Sequence, residues 1–242
     1  MRVSEPWRRL SSRSFWRLVD AEHNRLIADE LNVVERVLDA GCGYGSLTSY
    51  LSKHQYLAAG IDPGRQDLAR GLEIFGQAVL GRLLVMKAEE LAFASNSFDA
   101  VVLRDAMHHL YGEGEIALAL NEIERALKPG GKLVVFDPQP NLVVRLSRTI
   151  VHHWDFECSA AQARRLLEDR GWRIVKSTFT ELFALPASGG YVGVCLVPGW
   201  PALWAALLRL NRFLSGLLAR TPLGPLVLWR YILVAEPPLS HG

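Results

Sequence analysis

Residues 37–51, VLDAGCGYGSLTSYL, carry glycines at positions 41, 43 and 45 between an apolar run and a more polar one. A strand that ends in such a turn and continues into a helix presents free backbone N–H groups, and the positive end of the helix dipole, at one edge of a sheet. The loop is therefore suited to a ligand held close to the backbone. On the loop alone, an empty strand-to-helix turn is an open alternative.

The spacing of these glycines differs from the dinucleotide-binding pattern G-x-G-x-x-G. Counted from Gly41, the pattern needs glycine where the chain has Ser46. Counted from Gly43, it needs glycine where the chain has Thr48. Asp62 ends the next apolar run, where a carboxylate can accept hydrogen bonds from both hydroxyls of a ribose. The loop and Asp62 together predict a nucleoside-bearing ligand, with a plain Asp-Pro-Gly turn as the alternative for Asp62.

Short apolar runs alternate with helical patterns around these residues. The predicted strands are RVLDAG, YLAAGID, GRLLVMKA, SFDAVVLRD, KLVVFDPQ and RIVKSTFTEL. The predicted helices are SLTSYLSKH, GRQDLARGLEIFGQA, GEIALALNEIERAL, which is expected to stop at KPGG, and AAQARRLLEDRGW. This alternation predicts an α/β fold with a largely parallel sheet covered on both faces.

Composition limits the function classes. The 242 residues suffice for one large domain, and 27 Lys and Arg against 25 Asp and Glu give no reason to expect nucleic acid. Cys42, Cys158 and Cys195 include no C-x-x-C pair, so neither a metal site nor a disulfide framework is expected. Residues 1–20 are basic and lack the apolar core of a secretory signal, so a cytoplasmic location is expected.

Four segments resemble the successive motifs of the class I S-adenosylmethionine-dependent methyltransferases, in their small-molecule, UbiE-like branch. They are VLDAGCGYGSLTSYL, AGIDPGRQDL, AEELAFASNSFDAVVLRDAMHHL and EIERALKPGGKLVVFD. The resemblance covers roughly residues 34–180, and YILVAEPP is similar to the family's last strand. It implies a Rossmann-like, doubly wound sheet of seven strands, six parallel and the last antiparallel, with S-adenosylmethionine across the carboxyl ends of the first strands.

The resemblance also implies a set of cofactor contacts. Asp62 would hold the ribose hydroxyls and Pro63 would border the adenine. Lys87 stands where the family usually has an acidic residue, which leaves two alternatives: Glu89 takes over the contact to the adenine amino group, or the alignment shifts by one or two residues. The implied cofactor-binding residues are Asp39, Gly41, Cys42, Gly43, Gly45, Asp62, Pro63, Ala88, Glu89 and Arg104.

Two histidines in DAMHHL, His108 and His109, are the predicted catalytic residues, because the family often carries a histidine near the transferred methyl group. A histidine can accept a proton from a hydroxyl or amine at neutral pH. The alternative is a histidine at a helix start that binds only local backbone groups. Since the sulfonium is already activated, alignment and exclusion of water are the main requirements, and a base is not essential.

In this family the acceptor pocket is formed by the N-terminal helix, the loop after the fourth strand and insertions between the late strands. The corresponding division here is a helical cap at 1–30, the cofactor domain at 31–197, an apolar insertion at 198–227, and the last strand and tail at 228–242. Pocket candidates in the HHWDFEC stretch are His152, His153, Trp154 and Asp155.

The insertion contains no apolar run long enough to span a bilayer. On a helix, one face would carry Leu203, Leu207, Leu210, Leu214 and Leu217, and Arg209, Arg212 and Arg220 would lie near another. Such a helix can be a lid over an apolar substrate, an interfacial helix on a membrane, ordinary core packing or a dimer face.

The sequence thus predicts an S-adenosylmethionine-dependent methyltransferase acting on a small-molecule, apolar or lipid-like acceptor. It would work in the cytoplasm or at the inner face of the membrane. Two alternatives stay open: a catalytically inactive methyltransferase-like partner subunit, which Lys87 favours, and an NAD(P)-dependent oxidoreductase, which the glycine spacing disfavours.

Overall fold

The apolar runs form one sheet, and the helical patterns form helices on its two faces. The computed structural model describes residues 14–32, 35–112, 114–142, 144–145, 156–190 and 195–238, and elements are numbered in chain order within these ranges. The strands are β1 Arg36–Ala40, β2 Leu57–Asp62, β3 Leu83–Val85, β4 Phe98–Arg104, β5 Leu127–Pro138, β6 Arg173–Thr180 and β7 Arg230–Glu236. The helices are α1 Phe15–Ala28, α2 Ser46–Lys53, α3 Arg65–Phe75, α4 Met107–Gly112, α5 Ile116–Ala126, α6 Ala160–Glu168, α7 Ala184–Ala187, α8 Pro201–Leu218 and α9 Gly224–Val227.

Within the described ranges, seven strands lie in the order β3-β2-β1-β4-β5-β7-β6. β7 runs antiparallel to β5 and β6, and the remaining pairs are parallel. The predicted doubly wound, Rossmann-like sheet with an antiparallel last strand is therefore confirmed. The strand order reverses between β1 and β4, and sheets of this kind bind ligands outside the carboxyl ends of the strands at that point.

Alternate strand residues enter separate cores on the two faces of the sheet. Leu38 and Val101 belong to the core shared with α5 and α6. Val37 and Val102 belong to the core shared with α1 and α2. Because both faces are covered, the strands read as nearly continuous apolar runs, and the helices hold β1 and β4 rigidly beside the crevice.

The KPGG segment, at which the helix was expected to stop, is also the start of the next strand. α5 ends at Ala126, where a stop was expected, but the chain enters β5 at once, at Leu127. Gly130 has a φ of 76°, and the register between β4 and β5 shifts between Phe98 and Ala100. The segment therefore forms an irregular start of β5.

α8 occupies the first part of the predicted insertion, and the face that it buries most deeply is not the predicted leucine stripe. Asn211 and Ser215 are buried, whereas Leu210 and Leu217 are 47% and 58% exposed. The ring of Trp204 stacks on Phe15 of α1, with ring centroids 6.2 Å apart. The stripe is thus rotated toward the outside, and polar residues lie at the centre of the packed face.

Some predicted features lie outside the described residues: the first thirteen residues of the expected cap, and the pocket candidates His152, His153, Trp154 and Asp155. Among the helices that the structure does describe, none combines the length and the apolar character needed to cross a membrane.

Candidate cofactor and acceptor site

A cavity of about 510 Å³ lies at the carboxyl ends of β1, β2 and β4, where the strand order reverses. Its volume is within the range of small-molecule sites. The sequence-predicted residues in its lining are Asp39, Gly41, Cys42, Gly43, Asp62, Pro63, Ala88, Glu89, Arg104 and His109. Further lining residues are Trp16, Asp20, Tyr44, Ser46, Leu47, Met86, Lys87, Asp105, Ala106, Leu110 and Glu115.

Positions 41 and 43 of the loop are glycine for different structural reasons. Gly41 has a φ of 76°, and a Cβ there would lie 2.7 Å from Cβ of Ala106. Gly43 also has a positive φ, 51°, but a Cβ there would meet nothing within 4 Å among the described residues. The neighbouring wall thus restricts Gly41, whereas Gly43 faces open space and leaves its backbone accessible to a ligand.

Gly45 lies outside the cavity lining, in contrast to its predicted role as a contact. It is the N-cap of α2, with a φ of 74°. A Cβ there would lie 2.8 Å from Cδ2 of Leu83 in β3. Glycine at position 45 therefore allows the turn to approach β3 closely.

Asp39 is a buried carboxylate at the base of the glycine loop. Its Oδ2 accepts hydrogen bonds from the backbone N–H and the hydroxyl of Thr48, at 3.0 and 2.7 Å. Its Oδ1 is buried and has no hydrogen-bond partner among the described residues. Burial outweighs the Thr48 hydrogen bonds and raises the pKa of Asp39 to about 6. A cationic group beside Oδ1 would stabilise the ionised form.

Asp62 closes the loop from β2. Its two oxygens accept hydrogen bonds from the backbone N–H groups of Gly43, at 2.9 Å, and Gly64, at 2.7 Å. These bonds fix the orientation of the carboxylate at the cavity wall. Each carboxylate oxygen can accept more than one hydrogen bond, so Asp62 retains acceptor capacity for a ligand.

Lys87 and Glu89 line the cavity wall beyond β3, opposite a second carboxylate, Glu115, which precedes α5. Partial burial and a hydrogen bond shared with Glu115 raise the pKa of Glu89. Two interacting carboxyl groups therefore accompany the lysine that departs from the family pattern. The sequence analysis did not identify Glu115, since a single glutamate before a helix carries no ligand signal.

Arg104 joins α1 to the sheet across the cavity. Its guanidinium donates to Asp20 Oδ1 at 2.6 Å and also to the side chain of Asn24. The Ser46 hydroxyl donates to the other oxygen of Asp20. α1 is thus fixed against the ends of β4 and the glycine loop, and Trp16 on the same helix lines the cavity.

The polar residues of α1 were missed by the sequence analysis, although a signal existed. Asp20 and Asn24 are one turn apart on the same face as Phe15, Val19 and Ile27, which are buried. Polar side chains on an otherwise apolar helix face require buried partners. Such residues are candidates for contacts with distant segments.

The two predicted catalytic histidines occupy different environments. His109 is exposed and lines the cavity. His108 is buried outside the cavity lining. Its Nδ1 and its backbone N–H both bind Asp137 Oδ2 at 2.9 Å. The imidazole rings lie with centroids 4.1 Å apart. His108 therefore holds the start of α4 against β5, and His109 is the histidine that a ligand can contact.

Asp105, in the turn between β4 and α4, has an unusual positive backbone φ of 55°. Partial burial favours its neutral form, but the guanidinium groups of Arg230 and Arg104 dominate and lower the pKa of Asp105 to about 2. The Arg230 guanidinium also lies over the ring of Phe136, 5.1 Å from the centroid. β7 thereby fixes the turn that leads from β4 into α4.

Comparison with known proteins gives a family match over the segment that forms most of this cavity. Residues 38–135, from β1 into β5, match the methyltransferase domain family. Residues 38–135 form a methyltransferase domain. The predicted resemblance to the class I S-adenosylmethionine-dependent, UbiE-like methyltransferases is thereby confirmed.

Curated relatives extend the match. The methyltransferase domain is similar to a demethylmenaquinone methyltransferase of Renibacterium salmoninarum, with 36% identity over 46% of this chain and 45% of the relative. It is also similar to a 2-methyl-6-phytyl-1,4-hydroquinone methyltransferase of Synechocystis, with 35% identity over 42% of this chain and 31% of the relative. In both cases the aligned segment spans less than half of the relative.

Solved structures show the same fold over nearly the whole chain. The [4+2]-cyclase SpnF has a TM-score of 0.62 at 20% identity, covering 94% of this chain and 85% of its own. The likeness in fold therefore extends well beyond residues 38–135. At this identity it establishes the fold alone.

The groups around the cavity of the methyltransferase domain fit S-adenosylmethionine, the cofactor of this family. The buried, unpartnered Oδ1 of Asp39 suits an ammonium group. Gly43 leaves room for a ligand against the backbone, and Asp62 presents acceptors beside it. The carboxyl groups at the far wall can accept hydrogen bonds from an amino group.

Proposed function

We propose that this protein is a cytoplasmic S-adenosylmethionine-dependent methyltransferase that acts on a small apolar acceptor. The observation that carries the proposal is Asp62, whose carboxylate is fixed by the Gly43 and Gly64 amides on the wall of a cavity at the switch point of a methyltransferase domain. This arrangement leaves acceptors for two adjacent hydroxyls, as in a ribose.

The remaining cofactor contacts follow from charge and position. Asp39 would hold the ammonium group of the methionine part, since its buried Oδ1 has no hydrogen-bond partner among the described residues. Glu89 or Glu115 would accept from the adenine amino group. Because these carboxylates accompany Lys87, the lysine gives little support to the alternative of a catalytically inactive partner subunit.

When bound, S-adenosylmethionine supplies a methyl group on a positively charged sulfur that is ready for in-line transfer. Residues of this chain must orient the acceptor and exclude water. His109, which lines the cavity, is placed to take a proton at a ring nitrogen from a hydroxyl or amine acceptor. His108 has a positioning role, through its contacts with Asp137.

The apolar character of the acceptor is supported by the walls of the cavity and by the relatives. Trp16 from α1 and Leu110 from α4 contribute apolar side chains to the lining of the cavity. The two curated relatives are named for demethylmenaquinone and for a phytyl-substituted hydroquinone. We therefore infer an acceptor with an aromatic or aliphatic body and one nucleophilic group.

Calorimetry with S-adenosylhomocysteine tests the cofactor part of the proposal. Asp62→Ala should lower the affinity by about tenfold to hundredfold, because hydrogen bonds to a charged group are lost. Asp169→Ala, which removes an exposed carboxylate at the end of α6, is the matched control and should bind like the wild type. Absence of binding by the wild type, or undiminished binding by Asp62→Ala, would contradict the proposal.

The acceptor requires a second experiment. Cell extracts incubated with the protein and methyl-labelled cofactor should yield a labelled small molecule that partitions into organic solvent. An Asp62→Ala sample processed in parallel should yield none. Label found only in protein, nucleic acid or water-soluble products would contradict an apolar acceptor.

A further inference from the structure

The outer surface of α8 and the segments beside it expose an unusual number of large apolar side chains. On α8 itself, Leu210, Phe213 and Leu217 share one face at spacings of three and four residues and are 47%, 69% and 58% exposed. These three residues form the outer surface of α8, and Trp200 before the helix and Leu223 and Leu226 after it are also exposed. Soluble proteins rarely expose apolar groups in such a concentration without a partner.

The helix cannot rotate to bury this face. The Asn211 side-chain oxygen accepts hydrogen bonds from three successive backbone N–H groups at the start of α7, those of Leu182, Phe183 and Ala184, at 3.1, 2.9 and 3.2 Å. Rotation of α8 would leave these buried donors unsatisfied. The orientation that exposes the apolar side chains is therefore fixed by polar contacts on the opposite side.

The charged side chains that the segment containing α8 itself carries are all positive. Residues 182–235 contain no Asp or Glu, whereas α8 and the turn after it carry Arg209, Arg212 and Arg220. Arg212 binds Glu22 of α1 through two nitrogens, at 2.9 and 2.7 Å. Arg209 and Arg220 are exposed. Apolar side chains flanked by exposed arginines are complementary to a surface that is apolar inside and anionic at its boundary.

We propose that the outer surface of α8 docks the protein on an anionic phospholipid bilayer. Phe213, Leu210 and Leu217 would enter the boundary between headgroups and acyl chains, with Arg209 and Arg220 at the phosphates. A second copy of the chain fits less well, because a twofold interface would face these arginines with the same acid-free segment.

Docking in this orientation connects the bilayer to the cavity. The inward side chains of α8, Trp204, Leu207 and Leu208, pack in the same cluster as Trp16 of α1. Trp16 also lines the cavity. α8, which would contact lipid, therefore packs against α1, and α1 forms part of the cavity wall. Binding to vesicles does not depend on methyl transfer, so this inference and the proposed function can fail separately.

Vesicle co-sedimentation of the full chain tests the inference. The wild type should bind vesicles that contain phosphatidylglycerol and bind weakly to vesicles of phosphatidylcholine alone. Arg209→Gln with Arg220→Gln should lower the affinity by about tenfold or more, since each arginine near an anionic surface contributes about fivefold. Phe213→Ser with Leu217→Ser should have at least as large an effect.

Matched controls come from other helices. Leu118→Ser replaces a leucine of α5 that is 57% exposed, and Arg164→Gln with Arg165→Gln neutralises two exposed arginines of α6. These variants should bind vesicles like the wild type. S-adenosylhomocysteine binding by every variant, measured by calorimetry, reports folding.

The outcomes separate clearly. Loss of vesicle binding with unchanged S-adenosylhomocysteine binding supports the docking surface. Equal sedimentation of wild type and α8 variants, or no sedimentation of the wild type, overturns it. A concentration-dependent dimer that only the α8 variants lose, without vesicle binding, also overturns it and assigns the surface to a second copy. Vesicle binding without any S-adenosylhomocysteine binding would contradict only the proposed function.

Discussion

The two halves of the cavity are constructed in different ways. The half around the glycine loop is formed by residues 39–47 and 62–63 at the ends of neighbouring parallel strands, and its contacts use backbone N–H groups. The opposite half is formed by α1 and α4 and is held by side chains far apart in sequence. Arg104 binds Asp20, and His23 Nε2 lies 3.1 Å from Glu181 Oε2.

This difference separates two kinds of constraint. Backbone contacts at fixed φ angles restrict residue type at single positions, above all at Gly41. Side-chain contacts between distant segments restrict pairs of residues, and a pair can change without altering the sheet. We therefore expect the glycine-loop half to tolerate few substitutions and the α1 half to vary with the acceptor.

The largest expected effect is at Gly41. Gly41→Ala adds a Cβ 2.7 Å from Cβ of Ala106 at a φ of 76°, so strain and overpacking should lower the free energy of unfolding by about 2–5 kcal/mol. S-adenosylhomocysteine binding should be lost with it. Urea denaturation and calorimetry measure the two effects.

Gly43→Ala is the control within the same loop. Its Cβ meets nothing within 4 Å among the described residues, so only the cost of a positive φ applies, about 1–2 kcal/mol. Equal destabilisation by the two substitutions would show that the contact with Ala106 is not what restricts position 41.

The second prediction concerns the attachment of α1. Glu181→Gln removes the charged partner of buried His23 and should lower the free energy of unfolding by about 1–3 kcal/mol. Hydrogen exchange should increase in α1, while S-adenosylhomocysteine affinity should change by less than about twofold, since the glycine-loop half is independent. Glu168→Gln, on the surface of α6, should change neither quantity.

His23 adds a pH dependence to the same half. Burial lowers the pKa of His23, and its Nδ1 has no hydrogen-bond partner among the described residues. The unfolded chain therefore takes up the proton more readily than the folded protein, and stability should fall as pH drops below about 6.5. A loss of S-adenosylhomocysteine affinity in Glu181→Gln that accompanies the increased α1 exchange would contradict the independence of the two halves.

The sequence predicted the glycine-loop half and the sheet because their contacts are local or repeat between adjacent strands. Asp39, Gly43 and Asp62 each stand at a strand end that the apolar runs mark. Asp20 and Glu115 reach the cavity only through the packing of whole helices, which no local pattern records. The half held by local backbone contacts is thus the half that the sequence predicts, whereas contacts between distant side chains escape a local pattern.

The orientation of α8 shows the same limit. Periodicity placed five leucines on one face of the helix and left open what that face contacts, but the three amides at the start of α7 need an acceptor, and Asn211 supplies it. A single buried polar residue thus outweighs the leucine pattern, because unsatisfied buried donors are costly. Gly45 is a comparable case, since the family resemblance implied a ligand contact and its neighbour is Leu83.

The third prediction uses the pKa of Asp39 to sharpen the glycine-loop half. Because burial raises this pKa from 3.8 to about 6, the folded protein holds the proton more tightly than the unfolded chain does. The group therefore favours folding at low pH, and this contribution is lost as pH rises from about 4 to 6. A bound ammonium favours the ionised form, so S-adenosylhomocysteine affinity should fall by up to about tenfold for each pH unit below 6.

Asp39→Asn should remove this pH dependence and bind weakly throughout. Methylthioadenosine, which lacks the amino-acid part, should bind the wild type with little change over the same range. Calorimetry between pH 5 and 8 measures both. A wild-type pH dependence that persists in Asp39→Asn would place the titrating group elsewhere.

The smallest expected effect is at the far wall, where Lys87 departs from the family pattern. Glu89→Gln and Glu115→Gln should differ, with a loss of about three- to tenfold in S-adenosylhomocysteine affinity for the variant whose carboxylate accepts from the adenine amino group. Partial burial and the hydrogen bond shared with Glu115 raise the pKa of Glu89, so the Glu89 carboxyl group takes up a proton more readily than an ordinary glutamate does. Lowering the pH should therefore weaken the difference between the two variants.

S-inosylhomocysteine, which carries an oxygen in place of the adenine amino group, identifies the carboxylate that makes this contact. The variant that loses affinity for S-adenosylhomocysteine should lose none for the inosine analogue, because the donor is absent from that ligand. Equal losses for both ligands would instead indicate a general electrostatic effect. In that case the adenine end would be held by shape and backbone contacts alone, and the difference between the two halves of the cavity would be smaller than proposed.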